Sequence, residues 1–326
     1  MKADLLKLLI QAHADGDEPA FRKAALQVAS AESSAGHARI AEELRAILAK
    51  LPPVGPARAT TIVDIARPRG ELADILEGGH RDERLRNVVL PPSTRALIDR
   101  ILRENRSRSQ LERWSVGPRR RLLFHGPPGT GKTLTAAAMA GELGLPLMVV
   151  RFDALFSRFL GATATHLRAI FAEMPRRPGV YLFDEFDAVA KARGDAQDVG
   201  EMGRIVTAFL QLVDADVSGG LLIAATNHSE ALDRAVFRRF ETIVGFTVPT
   251  HGEVVELLKL RIGAFDLGKE CLAALGALAE NLSYADVARA CDDAIRTMAL
   301  DGREQLVESD LAEAITEARS RVPTTG

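Results

Sequence analysis

The stretch HGPPGTGKT, His125 to Thr133, holds the spacing G-x-x-x-x-G-K-T as Gly126, Gly131, Lys132 and Thr133. Residues of these types at this spacing bind phosphate. Glycine lets backbone N–H groups turn inward around phosphate oxygens, and a helix N-terminus just beyond aims its dipole at the same place. On that reading Gly126, Pro127, Pro128, Gly129, Thr130, Gly131, Lys132, Thr133 and Leu134 cradle the phosphates of ATP. Lys132 reaches the β- and γ-phosphates, and Thr133 ligates Mg2+. A chance glycine-rich turn is the bland alternative. The apolar strand Arg121 to His125 before it and the helical pattern LTAAAMAGEL after it argue for the cradle.

About fifty residues on, VYLFDEFD, Val180 to Asp187, runs four apolar residues into acids. This is the form of a buried strand delivering carboxylates at its C-terminal edge, where ligands bind in open α/β sheets. Asp184 would hold the magnesium and Glu185 would polarise the water that attacks the γ-phosphate. A third strand, LLIAATN, ends in Asn227, whose amide could orient that water; a turn-capping asparagine is the alternative. Eleven residues later, Arg238 and Arg239 in LDRAVFRRFE could neutralise transition-state charge in the active site of a neighbouring subunit. As an ordinary pair they would be solvated surface charge.

Such residues need a sheet to carry them. RLLFH, LMVV, VYLFD, LLIAAT and TIVGF alternate with helical segments from Leu90 onward, which predicts a mostly parallel sheet covered on both faces. The predicted α/β domain covers 90–248. From 249 to 326 the strands stop and three or four helices follow, forming a helical lid. Thr250 to Glu253 and Ser283 to Asp286 have capping-box spacing and mark two of its helix starts. Residues 1–51 read as a small all-α module: Leu5, Leu9 and Ala12 share one face, then Phe21, Ala25 and Val28, then Ile40, Leu44, Ile47 and Leu51. Residues 52–89, rich in Pro, Gly, Ala and Arg, read as a linker with one short possible strand at Thr61 to Ile65.

The chain of 326 residues is 47% hydrophobic, carries a net charge of -2 and shows no apolar run of bilayer length. A cytoplasmic protein without a membrane anchor is expected. Cys271 and Cys291 sit inside helical patterns and read as small core residues.

The ordered set GPPGTGKT, YLFDEFDAVAKAR, AATN and LDRAVFRRF resembles the AAA family of ATPases, in its classical clade rather than its clamp-loader or replication-initiator branches. The resemblance covers about Leu90 to Val322. It implies a Rossmann-like large domain, a helical lid and a ring, usually a homo-hexamer, with nucleotide at each subunit interface. It also gives a meaning to Phe159, Leu160 and Gly161, which match the aromatic–hydrophobic–Gly pore loop that grips polypeptide in this family. The spacing of Leu155, Phe156 and Phe159 leaves a core role for Phe159 open. Two departures stand out. The paired arginines are adjacent, closer to the severing-enzyme relatives, and Tyr284 occupies a lid position where the family usually has Gly.

The function expected is ATP-driven remodelling, unfolding or threading of a protein substrate, with residues 1–51 choosing the client or partner. One alternative is a nucleic-acid motor or loader, prompted by nine arginines between Arg95 and Arg121. Another is a nucleotide-gated scaffold without turnover, against which Lys132, Glu185 and Asn227 argue.

Overall fold

A computed structural model describes residues 18–34, 37–50, 76–151, 163–186, 198–232, 234–263, 265 and 267–321, with positions 7, 9, 10 and 13. The helix carrying Leu5 and Ala12, the strand expected at 61–65 and the Phe159-Leu160-Gly161 motif lie outside the described residues. The chain divides into two compact units. One comprises 62–254 with 281–286; the other comprises 1–61, 255–280 and 287–326.

The elements run in the order α1 (Glu18–Ser34), α2 (Ala38–Lys50), β1 (Leu76–Gly79), α3 (Pro92–Arg106), α4 (Arg108–Glu112), β2 (Arg121–His125), α5 (Lys132–Leu143) and β3 (Leu147–Arg151). Then come α6 (Thr163–Glu173), β4 (Val180–Asp184), α7 (Asp198–Ala215), β5 (Leu221–Thr226), α8 (Arg234–Phe237) and β6 (Thr242–Gly245). Four helices follow: α9 (His251–Ile262), α10 (Lys269–Leu278), α11 (Tyr284–Leu300) and α12 (Glu308–Arg321). The sheet order is β1-β3-β4-β5-β2-β6, parallel except where β1 meets β3. The α/β class, the parallel sheet and the C-terminal helices agree with the reading above.

The apolar runs are continuous because the central strands are buried on both faces. Successive residues alternate between two layers. Leu123, Tyr181, Phe183, Leu222 and Ala224 pack with Phe171 and Phe209 on one face. Leu122, Phe124, Leu182 and Ile223 pack with Ile98 and Ile101 of α3 and the alanines of α5 on the other.

Three expectations change. Leu76–Gly79 forms the edge strand β1, and the 3-10 turn at Leu85–Asn87 buries Leu85, so the expected linker 52–89 ends short of its assigned boundary. Helices α1 and α2 fall in the same compact unit as the C-terminal helices, where Arg45 of α2 meets Glu304 at 2.6 Å. And α2 buries Ala41, as α1 buries Ala24 and Ala29, while Ile40 and Ile47 stay exposed. Among the described residues no helix is long and apolar enough to cross a membrane.

The arginine-rich run is largely neutralised within the fold. Of its nine arginines, Arg95, Arg100, Arg106, Arg119, Arg120 and Arg121 pair with Asp99, Glu104, Glu142, Glu104, Asp216 and Glu241. Arg108 donates to the Gly219 carbonyl. Burial pushes the Glu241 carboxyl up, but the N–H groups of Arg120 and Arg121 and the Arg121 guanidinium together hold it below its ordinary value.

Candidate active site

Register brings the phosphate loop, the acidic pair and Asn227 to one edge of the sheet. His125 of β2 lies opposite Thr226 of β5, and Phe183 of β4 lies opposite Ala224 of β5. The C-terminal ends of three parallel strands therefore release Gly126, Asp184 with Glu185, and Asn227 on the same side. The Phe186 N–H donates to the Ala225 carbonyl at 2.9 Å, which pins the turn after β4 to β5.

The loop from Gly126 to Gly131 leads into α5, whose first residue is Lys132. The lysine side chain is buried, its ammonium donating to the carbonyls of Gly126 at 2.7 Å and Pro127 at 2.8 Å. It curls over the loop at the place where phosphate oxygens would compete for the same donors. Thr130 is also buried, and its hydroxyl donates to the Pro127 carbonyl, so this side chain braces the loop while its backbone stays available. Pro127, Pro128 and Gly129 are exposed at the loop's tip, and Leu134 is exposed on the first turn of α5. Burial, and after it the Lys132 charge, holds the His125 imidazole below its ordinary pKa.

Across the cradle, the Thr133 hydroxyl donates to Asp184 Oδ2 at 2.8 Å, while Asp184 Oδ1 accepts the Glu185 N–H at 2.9 Å. A hydroxyl and a carboxylate in contact, facing a phosphate cradle, are the hard oxygen donors that Mg2+ accepts when phosphates complete its shell. Glu185 itself is exposed and has φ 56, a left-handed conformation that a residue with Cβ seldom takes. Phe183 and Phe186 on either side are anchored against Phe209, with ring centroids at 5.1 and 5.0 Å. That packing over-determines the turn and holds the acid out of the core. Asn227 is half-buried at the end of β5.

The arginine pair is placed elsewhere. The Glu241 N–H donates to the Arg121 carbonyl, and β6 then runs parallel to β2 from the pair Leu122 and Thr242. Arg238 and Arg239 thus sit beside the start of β2, whereas the cradle begins at its end, about 15 Å away along a five-residue strand. Both are exposed; Arg239 meets Asp214 at 3.1 Å. Nothing in the sequence pattern marked Asp214, which lies near the C-terminus of α7.

The two capping boxes form as expected. The Thr250 N–H donates to Glu253 Oε2 at 2.8 Å, and the Ser283 and Asp286 N–H groups exchange hydrogen bonds with each other's side chains at 3.2 Å. The phosphate loop touches the second box: the Ala285 N–H donates to the Gly129 carbonyl at 3.1 Å.

The chain as a whole has relatives among known proteins. Residues 122–248 match the model of the ATPase family associated with various cellular activities (AAA). An uncharacterized AAA family ATPase, y4kL of Sinorhizobium fredii, is 33% identical over 98% of this chain and 96% of its own length. The chain belongs to the AAA family. It is an ATPase of the classical clade. The ATP-dependent zinc metalloprotease FtsH 3 of Sphaerobacter thermophilus is 29% identical over 80% of this chain, which spans about half (52%) of that longer relative. The crystal structure of the FIGL-1 AAA domain shares the fold, with a TM-score of 0.63 at 23% identity over 78% of this chain and 88% of that one.

Proposed function

We propose that this AAA ATPase works as a ring, six subunits as its family resemblance implies, and spends Mg2+-dependent ATP hydrolysis on remodelling a protein substrate. The observation that carries the ring is the distance between cradle and arginines. A subunit's own Arg238 and Arg239 stand at the far end of β2 from its phosphate loop, which supports a reading in which a neighbour's pair meets the charge on the γ-phosphate.

In this reading residues 126–134 hold the triphosphate and Lys132 exchanges its loop carbonyls for β- and γ-phosphate oxygens. Thr133 and Asp184 would hold magnesium, which when bound neutralises charge between the phosphates. Glu185, held out of the core, takes the proton of the attacking water, and Asn227 orients that water. The related FtsH 3 is an ATP-dependent zinc metalloprotease, which supports a polypeptide as the substrate here. Phe159, Leu160 and Gly161 would grip that polypeptide, and residues 1–51, which hold none of the catalytic groups, would select it in the cytoplasm. The pairing of six of the nine arginines with carboxylates weighs against the nucleic-acid reading, since phosphate contacts need free positive charge.

Mixing tests the ring. A subunit with Arg238→Ala and Arg239→Ala keeps its own base, and one with Glu185→Gln keeps its arginines. Each alone should hydrolyse ATP slowly, and an equal mixture should exceed both, because half-sites from each complete one another. A mixed assembly no faster than its components would overturn action in trans. Phe159→Ala tests the grip: melting temperature and basal hydrolysis should stay near wild type while unfolding of proteins retained by the Glu185→Gln trap is lost. A large fall in melting temperature with all activities together would instead place Phe159 in the core.

A further inference from the structure

We propose that Tyr284 is a positioning residue for nucleotide binding: through Glu253 it clasps the segment 283–286 onto the tip of the phosphate loop and so presets the loop's backbone. The proposal rests on the reading of residues 126–134 as the triphosphate site.

Tyr284 and Glu253 are 8% and 9% exposed, and the phenol donates to Glu253 Oε2 at 3.0 Å. The same oxygen accepts the Thr250 N–H at 2.8 Å. One carboxylate oxygen thus ties the start of α9 to the start of α11, and with both partners buried the contact is shielded from competing water. Ser283 and Asp286 cap α11 reciprocally, which leaves the N–H of Ala285, in that helix's first turn, to find an acceptor outside the helix. It finds the Gly129 carbonyl at 3.1 Å.

The approach is close enough to exclude a side chain. Gly129 has φ +74, and a Cβ there would overlap the Ser283 hydroxyl and stand 2.9 Å from Ser283 Cβ. The consequence for the ligand follows from the planar trans peptide, in which C=O and the next N–H point in opposite directions. With the Gly129 carbonyl held outward on Ala285, the Thr130 N–H turns to the opposite side, where a phosphate would take it. The Thr130 hydroxyl donates to the Pro127 carbonyl, which ties that side chain back across the loop. Without the clasp, the Gly129–Thr130 peptide is free to flip, and binding must then select the competent orientation from a mixture.

The test uses the full chain, titrated with a fluorescent ATP analogue and assayed for steady-state hydrolysis. Tyr284→Phe keeps the ring and its packing and removes one hydrogen bond. It should weaken nucleotide affinity about three- to tenfold and raise KM in parallel, with kcat within about twofold of wild type and the melting temperature nearly unchanged. Glu253→Gln keeps an acceptor for both donors and should bind like wild type. Glu253→Ala should reproduce the loss, and combining it with Tyr284→Phe should weaken binding no further, since both act through one contact. Wild-type affinity in Tyr284→Phe would overturn the clasp, as would an additive double variant or a loss confined to kcat. Failure of the wild type itself to bind the analogue would overturn the clasp and the triphosphate site together.

Discussion

Glu185→Gln is expected to slow ATP hydrolysis by about 10²–10⁴-fold while leaving nucleotide bound, because a general base contributes a factor of this order and an amide cannot accept the proton. The substitution isolates chemistry from folding. Glu185 is exposed, its backbone N–H is held by Asp184, and the neighbouring Phe183 and Phe186 anchor the turn whatever the side chain between them. Glutamine occupies the same volume and meets the same φ, so melting temperature should not move. Phosphate release measured beside retention of labelled ATP reads both halves. Hydrolysis at the wild-type rate would move the base elsewhere, and release of nucleotide would mean that the acid contributes to the cradle.

Gly126→Ala is expected to abolish nucleotide binding and to lower the melting temperature on the order of 10 °C. Gly126 has φ +142, and a Cβ there would lie deep inside the carbonyl of Phe246, a backbone group with no rotamer to yield. Phe246 cannot withdraw easily: its N–H bonds to the His125 carbonyl at 2.8 Å and its ring packs on Phe124 with centroids at 5.0 Å. Overpacking of about 1–3 kcal/mol adds to backbone strain of about 1–3 kcal/mol, and each kcal/mol moves the melting point of a domain this size by about 2–4 °C. The loop must shift, carrying the Gly126 carbonyl that positions Lys132. Thermal melting and nucleotide titration check the two effects separately. Wild-type values in both would show that Gly126 and Phe246 are not in contact in solution.

These two residues also mark how far a linear reading reaches. The strand–turn placement of HGPPGTGKT and VYLFDEFD was legible because each is local: a strand, a turn and the residues after it are contiguous. Strands such as LLIAAT were legible because burial on both faces leaves an unbroken apolar run, and all six of its residues are buried. The Thr250 and Ser283 boxes were legible because a cap spans only three residues.

What the tertiary structure alone decided lies in pairs far apart in sequence. Leu76–Gly79 reads LEGG, with no strand pattern of its own; it becomes a strand because the edge of β3 offers unpaired backbone groups. The arginines of the run from Arg95 to Arg121 look free in sequence, yet Arg120 and Arg121 meet acids 96 and 120 residues away. Tyr284 stood out only as a departure from its family's pattern, and its partner is 31 residues upstream. Arg238 and Arg239 read as candidate arginine fingers, but only the register of β6 on β2 placed them away from their own subunit's cradle. Local sequence chooses backbone conformation and supplies reactive groups. Which group meets which depends on strand register and on the packing of distant elements, and no short-range pattern in the chain encodes those.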